Sequence, residues 1–174
     1  MIIVAAGIAS QLVTRLGFKP VLISGLGLIT VALLWFTQLP VDGVYLTDII
    51  APMILVAVGL GFAFVPVTIA ALSGVSADDS GLASGLINTS QQIGGALGLA
   101  VLATIANSHT QDLLSSGGTD PAAALPSALT EGFQQAFLAG AGFAILGILA
   151  AALMIRSSDS KALVGVDPAE VPIG

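Results

Sequence analysis

Four long apolar runs, separated by polar stretches, dominate the pattern of this chain. The runs cover approximately residues 21–39, 49–73, 83–107 and 132–155, and none of them contains Lys, Arg, Asp or Glu. An α-helix needs about 20 apolar residues to cross the hydrocarbon core of a bilayer, and each run comes close to or exceeds that length. Because a helix satisfies its own backbone hydrogen bonds in lipid, the pattern predicts four transmembrane helices and an all-α, polytopic membrane protein.

A fifth apolar stretch, at residues 1–13, would span only about 20 Å as a helix and is too short to cross. It does not resemble a signal peptide, because the basic residues follow it instead of preceding it. We interpret it as the end of a helix that starts before Met1, so we expect the chain to be a fragment. The membrane region then covers residues 1–155, and the polar tail at 156–174 is predicted to be cytoplasmic and disordered.

The basic residues predict the orientation of these helices. Arg15 and Lys19 precede the first full span, Arg156 and Lys161 follow the last, and no Lys or Arg lies between them. Four crossings return the chain to its starting side, so all four cations lie on one face, which the positive-inside rule assigns to the cytoplasm. The predicted loops are cytoplasmic at 14–20 and 74–82 and external at 40–48 and 108–131.

Composition narrows the class of function. With 56% hydrophobic and 8% charged residues, the chain is more apolar than a water-soluble domain of this size can hide in one core. Its net charge of −6 argues against binding to nucleic acid or to an anionic lipid surface. There is no cysteine, and His109 is the only histidine, so we expect no disulfide and no metal site. No nucleophile elbow, phosphate loop or dinucleotide motif is present, so we expect neither a cofactor nor enzymatic activity.

The third span carries a polar stripe. Ser84, Asn88 and Gln92 recur at four-residue spacing, with Gln91 one step round the helix. Such side chains have no partners in lipid, so they must face protein or a water-filled cavity. The residues alone leave two interpretations open: interhelical hydrogen bonds worth about 0.6–2 kcal/mol each, or a path for a substrate.

Small residues recur at four-residue spacing on the last two spans. They let helix backbones approach closely in lipid, where no hydrophobic force drives association, so packing is our interpretation of these residues. They are Gly81, Gly85, Gly94 and Gly98 on the third span and Gly132, Ala136, Gly140 and Ala144 on the fourth.

The stretch GLGFAFVPVTIAALSGVSADDSGLASGLINTSQQIGGALGLAVLATIA, at 59–106, closely resembles the late helices of the fourteen-helix drug:proton antiporters of the major facilitator superfamily. In that family a glycine-proline helix, a short cytoplasmic loop and a GLASGLxNTxxQxGGALGxA run recur in this order. GFQQAFLAG, at 132–140, is similar to the start of the family's final helix. The resemblance covers nearly the whole chain, but only as the C-terminal portion of the family's length.

A shorter motif, TRLGFK at 14–19, is similar to the D-R-x-G-x-K/R cytoplasmic loop of the superfamily. Arg15, Gly17 and Lys19 match this motif, whereas Thr14 stands where the family often has aspartate. The resemblance thus implies a cytoplasmic loop without the acidic residue on which a charge latch would depend.

The resemblance also implies a place for each helix. Residues 1–13 would end the tenth of fourteen helices, and the four full spans would be the last four. The second and third full spans would line the central cavity, and a largely apolar lining with a few polar groups suits a multidrug site. The implied candidates for the substrate path are Asn88, Gln91 and Gln92 on one span and Phe62, Pro66 and Thr68 on the other.

Two hypotheses follow. The first is a C-terminal fragment of a proton-coupled multidrug efflux transporter in the bacterial plasma membrane, surrounded by lipid and acting on small amphipathic drugs. Protons would be handled by the missing N-terminal part, so the fragment alone should be inactive. The second is a self-contained four-helix membrane protein that oligomerises as a scaffold or small channel. The coding sequence upstream of Met1 distinguishes them, because only the first requires an in-frame extension.

Overall fold

A computed structural model describes residues 1–72, 75–76, 78–116 and 121–155 of the chain. These residues are almost entirely helical, and none of them forms a β-strand. A π-helical segment, Tyr45–Ile50, leads directly into the third α-helix. The α-helices are α1 (Ile2–Leu16), α2 (Phe18–Phe36), α3 (Ala51–Leu72), α4 (Ser80–Ser116) and α5 (Pro121–Met154).

Four helical segments of the described chain are long and apolar enough to cross a membrane. The predicted all-α polytopic membrane fold is therefore confirmed. α1, with 15 residues, is apolar but shorter than these four. The four segments are Phe18–Phe36, Tyr45–Leu72, Ser80–Ser116 and Ala123–Met154.

The last two helices extend beyond their apolar runs. α4 has 37 residues and α5 has 34, which corresponds to about 55 Å and about 51 Å of helix against about 30 Å of hydrocarbon. The external loop predicted at 108–131 is not observed over 108–116 and 121–131, where the chain is helical. Hydropathy marks only the lipid-embedded part of a helix, and the stretch that follows the apolar run, residues 108–116, contains no glycine or proline that would end α4 before Gly117.

The predicted loops on the other side are also shorter in the structure. α1 ends at Leu16 and α2 begins at Phe18, so Gly17 alone separates them where a loop at 14–20 was expected. Helix α4 begins at Ser80, inside the loop predicted at 74–82. The tail at 156–174, with two of the four cations, lies outside the described residues.

The helices pack in the spatial order α1, α3, α2, α5, α4. α3 contacts α1 and α2, α2 also contacts α5, and α5 contacts α4, whereas α3 and α4 make few contacts. One end of the assembly is closed by an apolar cluster of buried side chains from α1 and α2, against which Phe62 of α3 and Ile155 after α5 pack. The buried members of this cluster are Ala9, Val13, Phe18 and Val21.

Glycines allow the closest helix crossings. A Cβ added to Gly25 of α2 would lie 2.8 Å from the carbonyl oxygen of Gly59 of α3, and one added to Gly59 would lie 2.8 Å from the carbonyl oxygen of Gly25. A Cβ on Gly61 would lie 2.7 Å from that of Ala5 in α1. Since no side chain fits at these distances, α3 reaches both of its neighbours at positions where only glycine leaves room.

Candidate substrate-path site

The predicted polar stripe lies on the open face of α4. Ser84, Asn88 and Gln92 are exposed, and Gln91 is half-buried. Within the described part of the chain, the three amide side chains have no hydrogen-bond partner. The interhelical bonds of the packing interpretation are therefore not made between these helices. In a bilayer the amides need partners from further protein or from water.

The three candidates on α3 do not share one environment. Pro66 is fully buried, and Phe62 is half-buried against the apolar cluster of α1 and α2. Thr68 is exposed, and its hydroxyl donates to the carbonyl oxygen of Phe64 within the same helix, at 2.9 Å. The first two side chains serve the packing of α3, and Thr68 alone among the three lies on its open face.

The structure does not bring the six predicted residues together. Few contacts join α3 to α4, so Thr68 and the stripe on α4 lie on open faces of separate helices. Sequence reasoning missed Phe64, which is 51% exposed and lies one turn from Thr68 on the same face. The i, i+4 spacing from Thr68 was the available signal for it.

The predicted packing glycines also divide into two groups. A Cβ on Gly132 of α5 would lie 2.6 Å from the carbonyl oxygen of Ala106 in α4, and one on Gly140 would make an ordinary 3.4 Å contact with Leu33. These two glycines lie at helix contacts, as the packing interpretation requires. Gly81, Gly85, Gly94 and Gly98 have no described atom outside their own helix within 4 Å of that position.

A threonine that sequence reasoning did not select lies at the same α4–α5 contact. The hydroxyl of Thr110 is buried, 2.8 Å from the carbonyl oxygen of Ala106 in its own helix and 3.2 Å from that of Ala128 in α5. It is thus a side-chain link between the C-terminal part of α4 and the N-terminal part of α5. Its neighbour across the contact, Gly132, has no side chain that would displace it.

An apolar cavity of about 540 Å³ opens between α2, α4 and α5. Its lining contains no titratable or polar side chain, so it offers shape and apolar contact but no group for acid, base or metal chemistry. The lining residues are Leu33, Gly94, Leu97, Gly98, Val101, Leu102, Gly140 and Phe143. No group of three or more His, Cys, Asp or Glu side chains able to hold a metal occurs in the described ranges.

The TRLGFK motif at 14–19 forms a tight turn. Gly17 has φ 85°, and its N–H donates to the carbonyl oxygen of Val13 at 2.8 Å, which ends α1. Residues that carry a side chain rarely adopt a backbone with this φ, so the turn requires glycine. Arg15 is exposed, whereas the Lys19 ammonium donates to the carbonyl oxygens of Ala152 and Ile155 at the end of α5, at 2.8 and 2.7 Å.

Comparison with known proteins gives relatives over most of the chain, although no family model matches. The puromycin resistance protein of Streptomyces alboniger is 30% identical over 157 residues, which are 89% of this chain and 31% of that protein. The cephamycin export protein of Amycolatopsis lactamdurans is 34% identical over 110 residues, 63% of this chain and 23% of that protein. The MFS-type transporter EfpA of Mycobacterium tuberculosis is 32% identical over 154 residues, 83% of this chain and 28% of that protein. The chain thus spans less than a third of the length of these relatives.

Proposed function

We propose that this chain, which is homologous to drug and antibiotic export or resistance proteins of the major facilitator superfamily, forms the C-terminal part of a proton-coupled multidrug efflux transporter. Its four membrane-spanning helices and its bacterial relatives identify it as a multi-pass protein of the bacterial cell membrane. The names of the relatives are those of exporters and resistance proteins, which favours efflux over the self-contained scaffold or channel.

The observation that carries the proposal is the unpartnered amide stripe on α4. Asn88, Gln91 and Gln92 lie within a helix that is long and apolar enough to span the bilayer, and two of them are exposed. Amides on a lipid-facing surface would be left without hydrogen bonds, so a polar cavity is the environment that suits them. With Thr68 on the open face of α3, they form our candidate substrate path. Pro66 and Phe62, which pack inside the chain, are excluded from it.

The substrates we propose are small amphipathic drugs. The open faces of α3 and α4 combine a few amides and one hydroxyl with large apolar groups such as Phe64 and Leu99, which are 51% and 70% exposed. Such a lining supplies mainly apolar contact and leaves only a few hydrogen bonds to orient a ligand. That balance favours a broad range of substrates over recognition of a single one.

Proton coupling, in this proposal, depends on a group outside the chain. No Asp or Glu occurs in the four apolar runs, and a proton path through a membrane needs a titratable group within it. Alternating access in this fold also requires a second helical bundle that rocks against the first about a central site. We therefore expect drug transport only when this chain forms part of the complete transporter.

The test is the effect of Asn88→Ala or Gln92→Ala in the complete transporter. Loss of one substrate hydrogen bond, about 1 kcal/mol, should change the efflux rate per molecule about fivefold for drugs that use it. Thr104→Val is the matched control, because Thr104 is exposed on α4 but its hydroxyl bonds to Ala100 of its own helix. Transport in inverted vesicles and protein abundance are measured together. Lower abundance with unchanged efflux per molecule for every drug would contradict the proposal.

A further inference from the structure

Lys19 joins two helices that are far apart in sequence. It lies in the first turn of α2, and its ammonium donates to the carbonyl oxygens of Ala152, at 2.8 Å, and of Ile155, at 2.7 Å. These acceptors are 133 and 136 residues away and lie at the last turn of α5. The side chain is half-buried between the two elements.

The chemistry of this contact is that of a helix C-terminus. The last four carbonyls of an α-helix have no amide donor in a following turn, and together they carry a partial negative charge. An ammonium that donates to two of them satisfies acceptors and complements the dipole at the same time. α5 has no basic residue of its own in its last turn, so Lys19 supplies that charge from another helix.

The backbone around Lys19 is shaped for this contact. Gly17 turns the chain sharply between α1 and α2, and Phe18 beside it is 4% exposed in the apolar cluster. Ile155 packs against the same cluster, which brings its carbonyl within reach of the ammonium. Arg15 lies four residues before Lys19 but is exposed. The two cations of the loop motif therefore have different environments.

We infer that Lys19 is a positioning residue that clasps the end of α5 to the α1–α2 turn, so that these elements move as one body. The clasp rests on two short hydrogen bonds and on the apolar cluster beneath them. It stands independently of the proposed function, because it concerns how the last helix is held and not what passes through the transporter.

Spin-label distances test the clasp directly, because the chain contains no natural cysteine. Labels are placed at Leu16 and Met154, which are 57% and 81% exposed, through Leu16→Cys and Met154→Cys in the full chain in lipid nanodiscs. We expect a narrow distance distribution that Lys19→Met abolishes and Lys19→Arg retains. Arg15→Met, the matched control, removes the same charge from the same turn and should leave the distribution narrow.

The proposal is overturned if Lys19→Met leaves the distribution narrow, or if Arg15→Met broadens it equally, since charge alone would then explain the effect. Should Lys19→Met fail to accumulate, Lys19→Gln takes its place, because its shorter, neutral amide should still lose the narrow peak. A narrow peak in Lys19→Gln would then contradict the clasp in the same way.

Discussion

The α2–α3 crossing and the first half of α4 are both rich in glycine, yet their glycines lie in opposite environments. At the crossing, Gly25 and Gly59 are buried, and each would place a new Cβ 2.8 Å from the other's carbonyl oxygen. Gly85 and Gly94 of α4 are exposed, with open space where a Cβ would stand. The same residue type therefore permits a helix contact in one region and borders an unoccupied face in the other.

The difference shows that spacing identifies a surface able to pack but not its partner. Large apolar side chains are exposed on α4 as well, including Leu82 at 76% and Leu86 at 67%, together with the amide stripe. A helix that exposes glycines, leucines and amides suits contact with further helices on one side and with a polar cavity on the other. In our proposal, the remaining part of the transporter provides the further helices and completes the polar cavity.

The largest effect that separates the two regions is expected from Gly25→Ala. Its Cβ would approach backbone atoms of Gly59, Phe62 and Ala63 at 2.8 Å, so the helices must move apart, at a cost of about 1–3 kcal/mol. Gly27→Ala is the matched control in the same helix, since nothing lies within 4 Å of its Cβ position. Unfolding of the purified chain in mixed micelles, titrated with a denaturing detergent, measures the difference.

The α4 counterpart, Gly85→Ala, should leave stability of the chain within about 0.5 kcal/mol, because no described atom outside α4 lies near it. Equal destabilisation by Gly25→Ala and Gly85→Ala would show that the open face of α4 is packed after all. The contrast between the two regions would then be lost.

The membrane spans were predictable because their signal is local. Each apolar run lacks charges, and lipid leaves the backbone no alternative to a helix. Helix ends were less predictable, since residues 108–116 are polar enough to resemble a loop although they contain no helix breaker. A polar helix that continues into water has the hydropathy of a loop, so only the glycines at 117 and 118 marked the end of α4.

The site was predictable only in part, because side-chain partners are not local. The spacing of Asn88 and Gln92 predicts a stripe, and the structure leaves that stripe exposed. Pro66 and Phe62 share a helix with Thr68, and nothing in their spacing shows which face α1 and α2 cover. The contact of Lys19 with Ile155 joins residues 136 positions apart, and no sequence pattern predicts such a pairing.

The accessibility of α4 to water shows whether its amide stripe faces a water-filled cavity or further protein. Asn88→Cys and Leu86→Cys lie two residues apart, about 200° round the helix, so they face nearly opposite sides. If the amide stripe borders a water-filled cavity, a charged thiol reagent should modify Asn88→Cys in the complete transporter and leave Leu86→Cys unmodified, because the reactive thiolate forms only in contact with water. The fraction labelled, read by mass shift, is the measurement. Protection of both positions would place the stripe against protein instead.

A smaller loss of stability than that of Gly25→Ala is expected at the C-terminal end of α4, where Thr110 bonds to α5. Thr110→Val removes the hydroxyl that lies 3.2 Å from the carbonyl oxygen of Ala128 and keeps the shape of the side chain beside Gly132. One interhelical hydrogen bond in a membrane protein contributes about 0.6 kcal/mol, so the free energy of unfolding should fall by about that amount. The hydroxyl of Thr104 bonds only within α4, so Thr104→Val should leave the free energy of unfolding unchanged. Thr110→Ser keeps the hydroxyl and should have the wild-type value. Equal values for Thr110→Val and Thr104→Val would mean that α4 is held to α5 by the close approach at Gly132 alone.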